Sequence, residues 1–163
     1  MIVHRIIQHT SIGATEQDKE LEDFKKEGSQ VTDLSILQNS YNRLNEIDIN
    51  IFKWLESIDI GNECFGSVQT FKIDGLSRLK TIKIGINSFT QEKNGYGNDS
   101  SKSFHILNCE SLESIHIGEY SFSDYAGGFE LKNLPQLQSI QIGSYSFYGS
   151  SFVIRGIELI LNI

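Results

Sequence analysis

The chain has one proline and two cysteines among 163 residues. Two cysteines, Cys64 and Cys109, are too few for a disulfide-stapled scaffold. No stretch approaches the roughly 18–20 apolar residues that span a bilayer. The opening MIVHRIIQHTSIG carries two histidines and an arginine and lacks the apolar core of a secretory signal, so a cytoplasmic location is expected, with the cell surface or secretion as the alternative if a signal has been removed. Basic residues are in deficit, 14 Lys and Arg against 21 Asp and Glu, which leaves a net charge of −7. Surfaces that take nucleic acid or anionic lipid gather Lys and Arg to neutralise phosphate. Neither partner is expected. No Walker loop, CxxC, HExxH or GxSxG occurs, so no cofactor or metal is expected.

Fourteen glycines accompany many Ile and ten Phe, a composition that suits short strands joined by tight turns. The order of these residues is periodic. LESIDIGNECF begins at Leu55, LKTIKIGINSF at Leu79, LESIHIGEYSF at Leu112 and LQSIQIGSYSF at Leu137. Each is followed by a second phrase: FKIDGLSRL from Phe71, FHILNCESL from Phe104, FELKNLPQL from Phe129 and FVIRGIELI from Phe152. A weaker copy precedes them, VTDLSILQNSY from Val31 and then IDINIFKWL from Ile47. The starts give repeat lengths of 24, 24, 33, 25 and 23, with a sixth repeat opening at Ile160.

In LxxIxI, Ile at positions 4 and 6 is expected to point inward and position 5 outward, because strand side chains alternate. Glycine at position 7 (Gly61, Gly85, Gly118, Gly143) is expected to turn the chain off the strand by taking positive φ. The aromatic at position 11 fills the bend, and Phe-x-Ile makes a second short extended segment on the return side. No single repeat can bury its apolar face, so stability must come from stacking on neighbours.

This pattern resembles leucine-rich repeats, and the IG-x-x-SF phrase is most similar to the BspA-like group of bacterial and protist proteins. The resemblance implies a β-rich solenoid, with a parallel sheet on one face, and a role in protein binding. Position 9, Asn in that pattern, is Asn39 and Asn87 but also Glu63, Tyr120 and Tyr145. The small residues at position 10 (Ser40, Cys64, Ser88, Ser121, Ser146) are therefore expected to form a substitute ladder bonding the turn backbone.

Residues 1–30 do not fit the repeat and are assigned to an N-terminal cap, with 31–163 as the solenoid. Ile2 to Ile7 reads as a strand or a degenerate repeat. Thr15 to Lys26 reads as a short helix, acidic in its first turn and basic in its last, ended by Gly28. The third repeat carries an inserted loop at about 90–103. Its TQEKNGYGNDSSKS reads either as a recognition loop anchored by Tyr96 or as a tolerated surface insertion.

Catalysis is not expected. His105 and Cys109 are four apart, but register turns Cys109 inward and His105 outward, and no carboxylate pair falls in a closed apolar pocket. Binding is expected instead at the outward position 5, Asp59, Lys83, His116 and Gln141, and at a rim where Tyr120 and Tyr145 stack. Trp54, Tyr125 and Tyr148 also fall at non-core positions. The partner is expected to be a protein. An adhesin-like protein binding host protein or glycan, and a structural subunit docking through its end, are the alternatives. Ile160 and Ile163 would leave an apolar strand at that end, where a homo-oligomer is expected to form.

Overall fold

The computed structural model describes residues 3–7, 31–92 and 97–155. The expected helix at Thr15–Lys26 lies outside them, as do Gly28, Tyr96, Ile160 and Ile163. The strands are β1 Val3–Ile7, β2 Val31–Ile36, β3 Ser57–Ile60, β4 Thr70–Asp74, β5 Thr81–Ile84, β6 Ser103–Leu107, β7 Ser114–Ile117, β8 Phe129–Lys132, β9 Ser139–Ile142 and β10 Phe152–Arg155. They form two sheets, one ordered β1-β2-β3-β5-β7-β9 and the other β10-β8-β6-β4. Every strand pairing is parallel.

From the second repeat onward the chain passes alternately between the sheets. Each repeat gives its LxxIxI strand to the six-stranded sheet and its Phe-x-Ile strand to the four-stranded one. Val3–Ile7 adds one further strand before the first repeat, with a register irregularity between Val3 and His4. The first repeat departs from the rest: its IDINIF phrase forms a 3-10 turn at Ile49–Ile51, where Asp48 accepts from the Asn50 N–H at 3.0 Å.

The space between the sheets holds the apolar positions of the repeat. Ile58, Ile60, Ile82, Ile84, Ile115 and Ile117 are buried, as are Leu55, Leu79 and Leu112. Position 11 forms a column of parallel rings: Tyr41, Phe65, Phe89, Phe122 and Phe147, with successive centroids 5.4, 5.0, 4.7 and 4.9 Å apart. Phe71, Phe104 and Phe129 stack in a second column at 5.1 and 5.0 Å. The columns meet edge to face, as in Phe71–Phe89 and Phe104–Phe122, the arrangement that aromatic quadrupoles favour.

The turn that follows each LxxIxI strand explains the unusual residues there. Position 9 (Asn39, Glu63, Asn87, Tyr120, Tyr145) and position 11 have φ between 53° and 62° in every repeat. Asn tolerates this left-handed geometry, whereas Glu and Tyr adopt it at a cost of about 1–2 kcal/mol each. The geometry aims backbone donors along the stacking direction. Glu63 N–H reaches forward to Ile86 O at 2.9 Å, and Phe65 N–H reaches back to Ser40 O at 3.0 Å. The expected position-10 ladder runs between these points. Ser88 Oγ donates to Gly61 O at 2.8 Å, Ser121 Oγ to Gly85 O at 2.6 Å and Ser146 Oγ to Gly118 O at 2.9 Å. Cys64 Sγ takes the same role toward Leu37 O at 3.1 Å.

The expectation that position-7 glycines turn the chain through positive φ is overturned. Positive-φ glycines among the described residues are Gly75 and Gly128 alone. At position 7 the missing Cβ answers to a close approach instead. A Cβ on Gly118 would lie 2.6 Å from the carbonyl carbon of Gly85, and one on Gly143 would lie 2.4 Å from Glu119 N. Glycine here lets successive repeats touch backbone to backbone.

Candidate functional site

The outward face of the six-stranded sheet carries the position-5 row. Register sets Asp59 beside Lys83, Lys83 beside His116 and His116 beside Gln141, on the neighbouring strands β3, β5, β7 and β9. All four are exposed, because the Ile on either side of each strand position turns inward and leaves position 5 to solvent. The row is partly self-paired. Lys83 Nζ stands 3.8 Å from Asp59 Oδ1, and His116 Nδ1 lies 3.1 Å from Gln141 Oε1. Position 3 supplies hydroxyls alongside, and Ser57 Oγ donates to Asp33 Oδ1 at 2.6 Å. Between the two rows runs an open groove of about 450 Å³, lined by Ser57, Asp59, Thr81, Lys83, Ser114 and His116.

The rim of this face is built by the left-handed turns. Tyr120 and Tyr145 stack with centroids 5.1 Å apart and planes inclined by 6°. Tyr120 is half-buried and Tyr145 is exposed. At position 2, Glu56 accepts from Arg78 at 3.0 Å and from Lys80 at 3.2 Å. Those two bonds, that from Arg78 foremost, hold its carboxyl below the usual range. Arg78 also lies over the ring of Trp54, 4.8 Å from its centroid, so Trp54 is exposed with one face covered by a guanidinium.

Tyr125 is not the surface aromatic that its place in the repeat suggested. It is fully buried, and its hydroxyl donates to Val68 O at 2.6 Å. Burial raises its pKa well above the ordinary tyrosine value, and nearby Asp124 and Asp99 add to the shift. The same region anchors the insertion. Thr90 and Lys102, within the segment read as loop, are both buried. Lys102 Nζ donates to Asp124 Oδ2 at 2.7 Å, with both side chains about 95% buried, and it lies 5.7 Å from the Tyr125 ring centroid. Thr90 Oγ1 and Ser123 Oγ share a bond of 2.8 Å, and Asp99 N–H donates to Asp124 O at 2.8 Å. A recess of about 570 Å³ at this base is lined by Gln91, Glu92, Asp99, Ser100 and Asp124. No group of three or more His, Cys, Asp or Glu is placed to hold a metal among the described residues.

His105 and Cys109 sit as register requires. Cys109 is buried, and His105 Nδ1 faces Glu130 Oε2 at 3.4 Å. Both cysteines are free thiols, and burial pushes Cys64 up to about 11 and raises Cys109. A buried neutral thiol is a poor nucleophile.

A second polar ladder went unread in the sequence. Asn50 Nδ2 donates to Lys72 O at 3.0 Å, and its Oδ1 accepts from Asp74 N–H at 2.7 Å. Asn108 Nδ2 donates to Asp74 Oδ1, and Asn133 Nδ2 to Asn108 Oδ1, each at 2.8 Å. The signal was present: an Asn or Asp ends each of the phrases DIN, KID, ILN and LKN, at Asn50, Asp74, Asn108 and Asn133. No helix among the described residues is long and apolar enough to cross a membrane. No family model, curated protein or solved structure matches the chain.

Proposed function

We propose that this chain is a leucine-rich-repeat solenoid of the BspA-like kind and that it works as a non-catalytic module, binding a protein partner across the six-stranded face. One observation carries the reading. Four chemically different side chains, Asp59, Lys83, His116 and Gln141, stand exposed in register on neighbouring strands. A stacked frame fixes the spacing of such a row while leaving its chemistry free to vary, which suits recognition of an extended surface. The adjoining Tyr120–Tyr145 pair offers the aromatic area that interface anchors use. The open groove lacks the enclosed, desolvated walls that tune catalytic groups.

The test is capture of a partner on the immobilised chain, followed by titration against variants. His116→Ala combined with Tyr120→Ala is expected to weaken binding by more than roughly 1 kcal/mol, as loss of anchors does. Unchanged affinity with the partner still captured would move the site off this face.

A further inference from the structure

Repeats of a stacked solenoid are held mainly by the repeats beside them, so the junctions between them can open one at a time. Tyr125 adds a directional link across two steps. It belongs to the fourth repeat, and its hydroxyl donates to Val68 O of the second at 2.6 Å, with both residues buried. The bond passes the third repeat, which leads into its insertion on this side with Gln91 and Glu92 exposed. Phe71 of the second repeat and Phe122 of the fourth also meet edge on, 5.6 Å between centroids.

The described ends of the insertion tie the same three repeats together. Gln91 Nε2 donates to Ser67 Oγ of the second repeat at 3.1 Å. Toward the fourth repeat, Ser123 Oγ donates to Glu92 O at 2.6 Å, and Lys102 Nζ donates to Asp124 Oδ2 at 2.7 Å. Asp99 and Tyr125 pair as a parallel bridge. The Lys102 ammonium lies 5.7 Å from the centre of the Tyr125 ring, so the insertion packs on the residue that makes the long link.

We propose that the insertion and Tyr125 act as a strap, which makes the second, third and fourth repeats open and close as a single unit. The physical reason is that one bond counts at two junctions. Parting the second repeat from the third breaks the Tyr125–Val68 bond, and so does parting the third from the fourth. Neither junction can open alone without that loss, so the intermediate states of a nearest-neighbour stack are disfavoured. β3, β5 and β7 belong to these three repeats, so the strap also fixes the spacing of Asp59, Lys83 and His116. Only that last consequence rests on the proposed binding face.

Native-state hydrogen exchange of the full 163-residue chain in low urea tests this without any partner, so the binding reading can fail and leave the strap standing. Amides of β3 and β7 are expected to exchange through one common opening, with the same free energy and the same urea dependence. Tyr125→Phe keeps the ring and removes the hydroxyl. In that variant β3 is expected to exchange at least roughly tenfold faster than β7, through a smaller opening. Thr90→Val is the second variant. It removes the bond to Ser123 and leaves the Tyr125 hydroxyl in place, so β3 and β7 are expected to exchange faster but still together. Melting curves establish that each variant is folded. Separate openings of β3 and β7 in the parent chain overturn the proposal. So does a folded Tyr125→Phe in which they still exchange together, because the lost bond then lowers stability without releasing the repeats. A separation in Thr90→Val as large as that in Tyr125→Phe overturns the assignment of the link to Tyr125.

Discussion

Phe122→Ala is expected to destabilise the protein by about 3–5 kcal/mol, the usual range for deleting a buried aromatic. Phe122 has no exposed surface and sits where both aromatic columns meet. Its ring lies parallel to Phe89 at 4.7 Å and to Phe147 at 4.9 Å, and it takes edge contacts from Phe104 at 5.0 Å and Tyr125 at 4.9 Å. The backbone around it cannot collapse into the gap. Phe122 N–H is bonded to Ser88 O, and the left-handed turn is repeated on both sides. The loss is therefore expected toward the upper end of the range. Urea denaturation measures it, with Gln141→Ala as an exposed control expected to stay within about 0.5 kcal/mol of the parent. A Phe122→Ala loss under 1 kcal/mol would show that the columns are not the packed core described above.

Lys102→Met is expected to cost a similar amount, about 3–5 kcal/mol, for an electrostatic reason. It leaves Asp124 buried without its cation, while Oδ1 of that carboxylate already has no partner among the described residues. Gln91 N–H, at 3.3 Å from Oδ2, is too long a contact to compensate. The double variant Lys102→Met with Asp124→Leu removes the stranded charge along with the pair. It is expected to recover most of the loss, because well-packed apolar replacements of buried pairs are often neutral. A double-mutant cycle by urea denaturation reads the coupling. Equal and additive losses for Lys102→Met and Asp124→Leu would mean that the pair is not coupled at all.

The strand positions and their inward faces were legible in the sequence because the period-2 alternation is repeated in each unit. One ambiguous copy is corrected by the next. The position-10 ladder was legible for the same reason: a small polar residue recurs beside an aromatic at a place where the turn must satisfy its backbone. Position-7 glycine was legible as a requirement but not as a cause. Positive φ and close approach both select glycine, and only the neighbouring backbone, 2.6 Å from a Cβ placed on Gly118, separates them. The Lys102–Asp124 pair had no sequence signature. Its partners are 22 residues apart, one in the inserted segment and the other in the fourth repeat, so no repeat register relates them. Tyr125 was misplaced for a related cause. The fourth repeat is one residue longer than the second, and the insertion of the third packs against that surplus, which closes over a ring that the regular pattern would leave outside.

The candidate face was legible as a row of positions, since outwardness follows from alternation. Its pairing was not, because whether Lys83 leans toward Asp59 or toward solvent depends on side-chain rotamers that the register does not set. The insertion reads differently once its base is seen. Thr90, Asp99 and Lys102 tie the segment to Ser123 and Asp124, so the third and fourth repeats are joined by side chains as well as by strand pairing.

The binding reading is tested most directly by hydroxyl-radical footprinting of the chain with its captured partner. Oxidation reports side-chain cover, and His116, Tyr120 and Tyr145 are reactive residue types on the face and its rim. The account predicts that the partner shields these three, while Trp54, exposed away from the position-5 row, keeps its rate of modification. Shielding of Trp54 with unchanged rates at His116, Tyr120 and Tyr145 would contradict it.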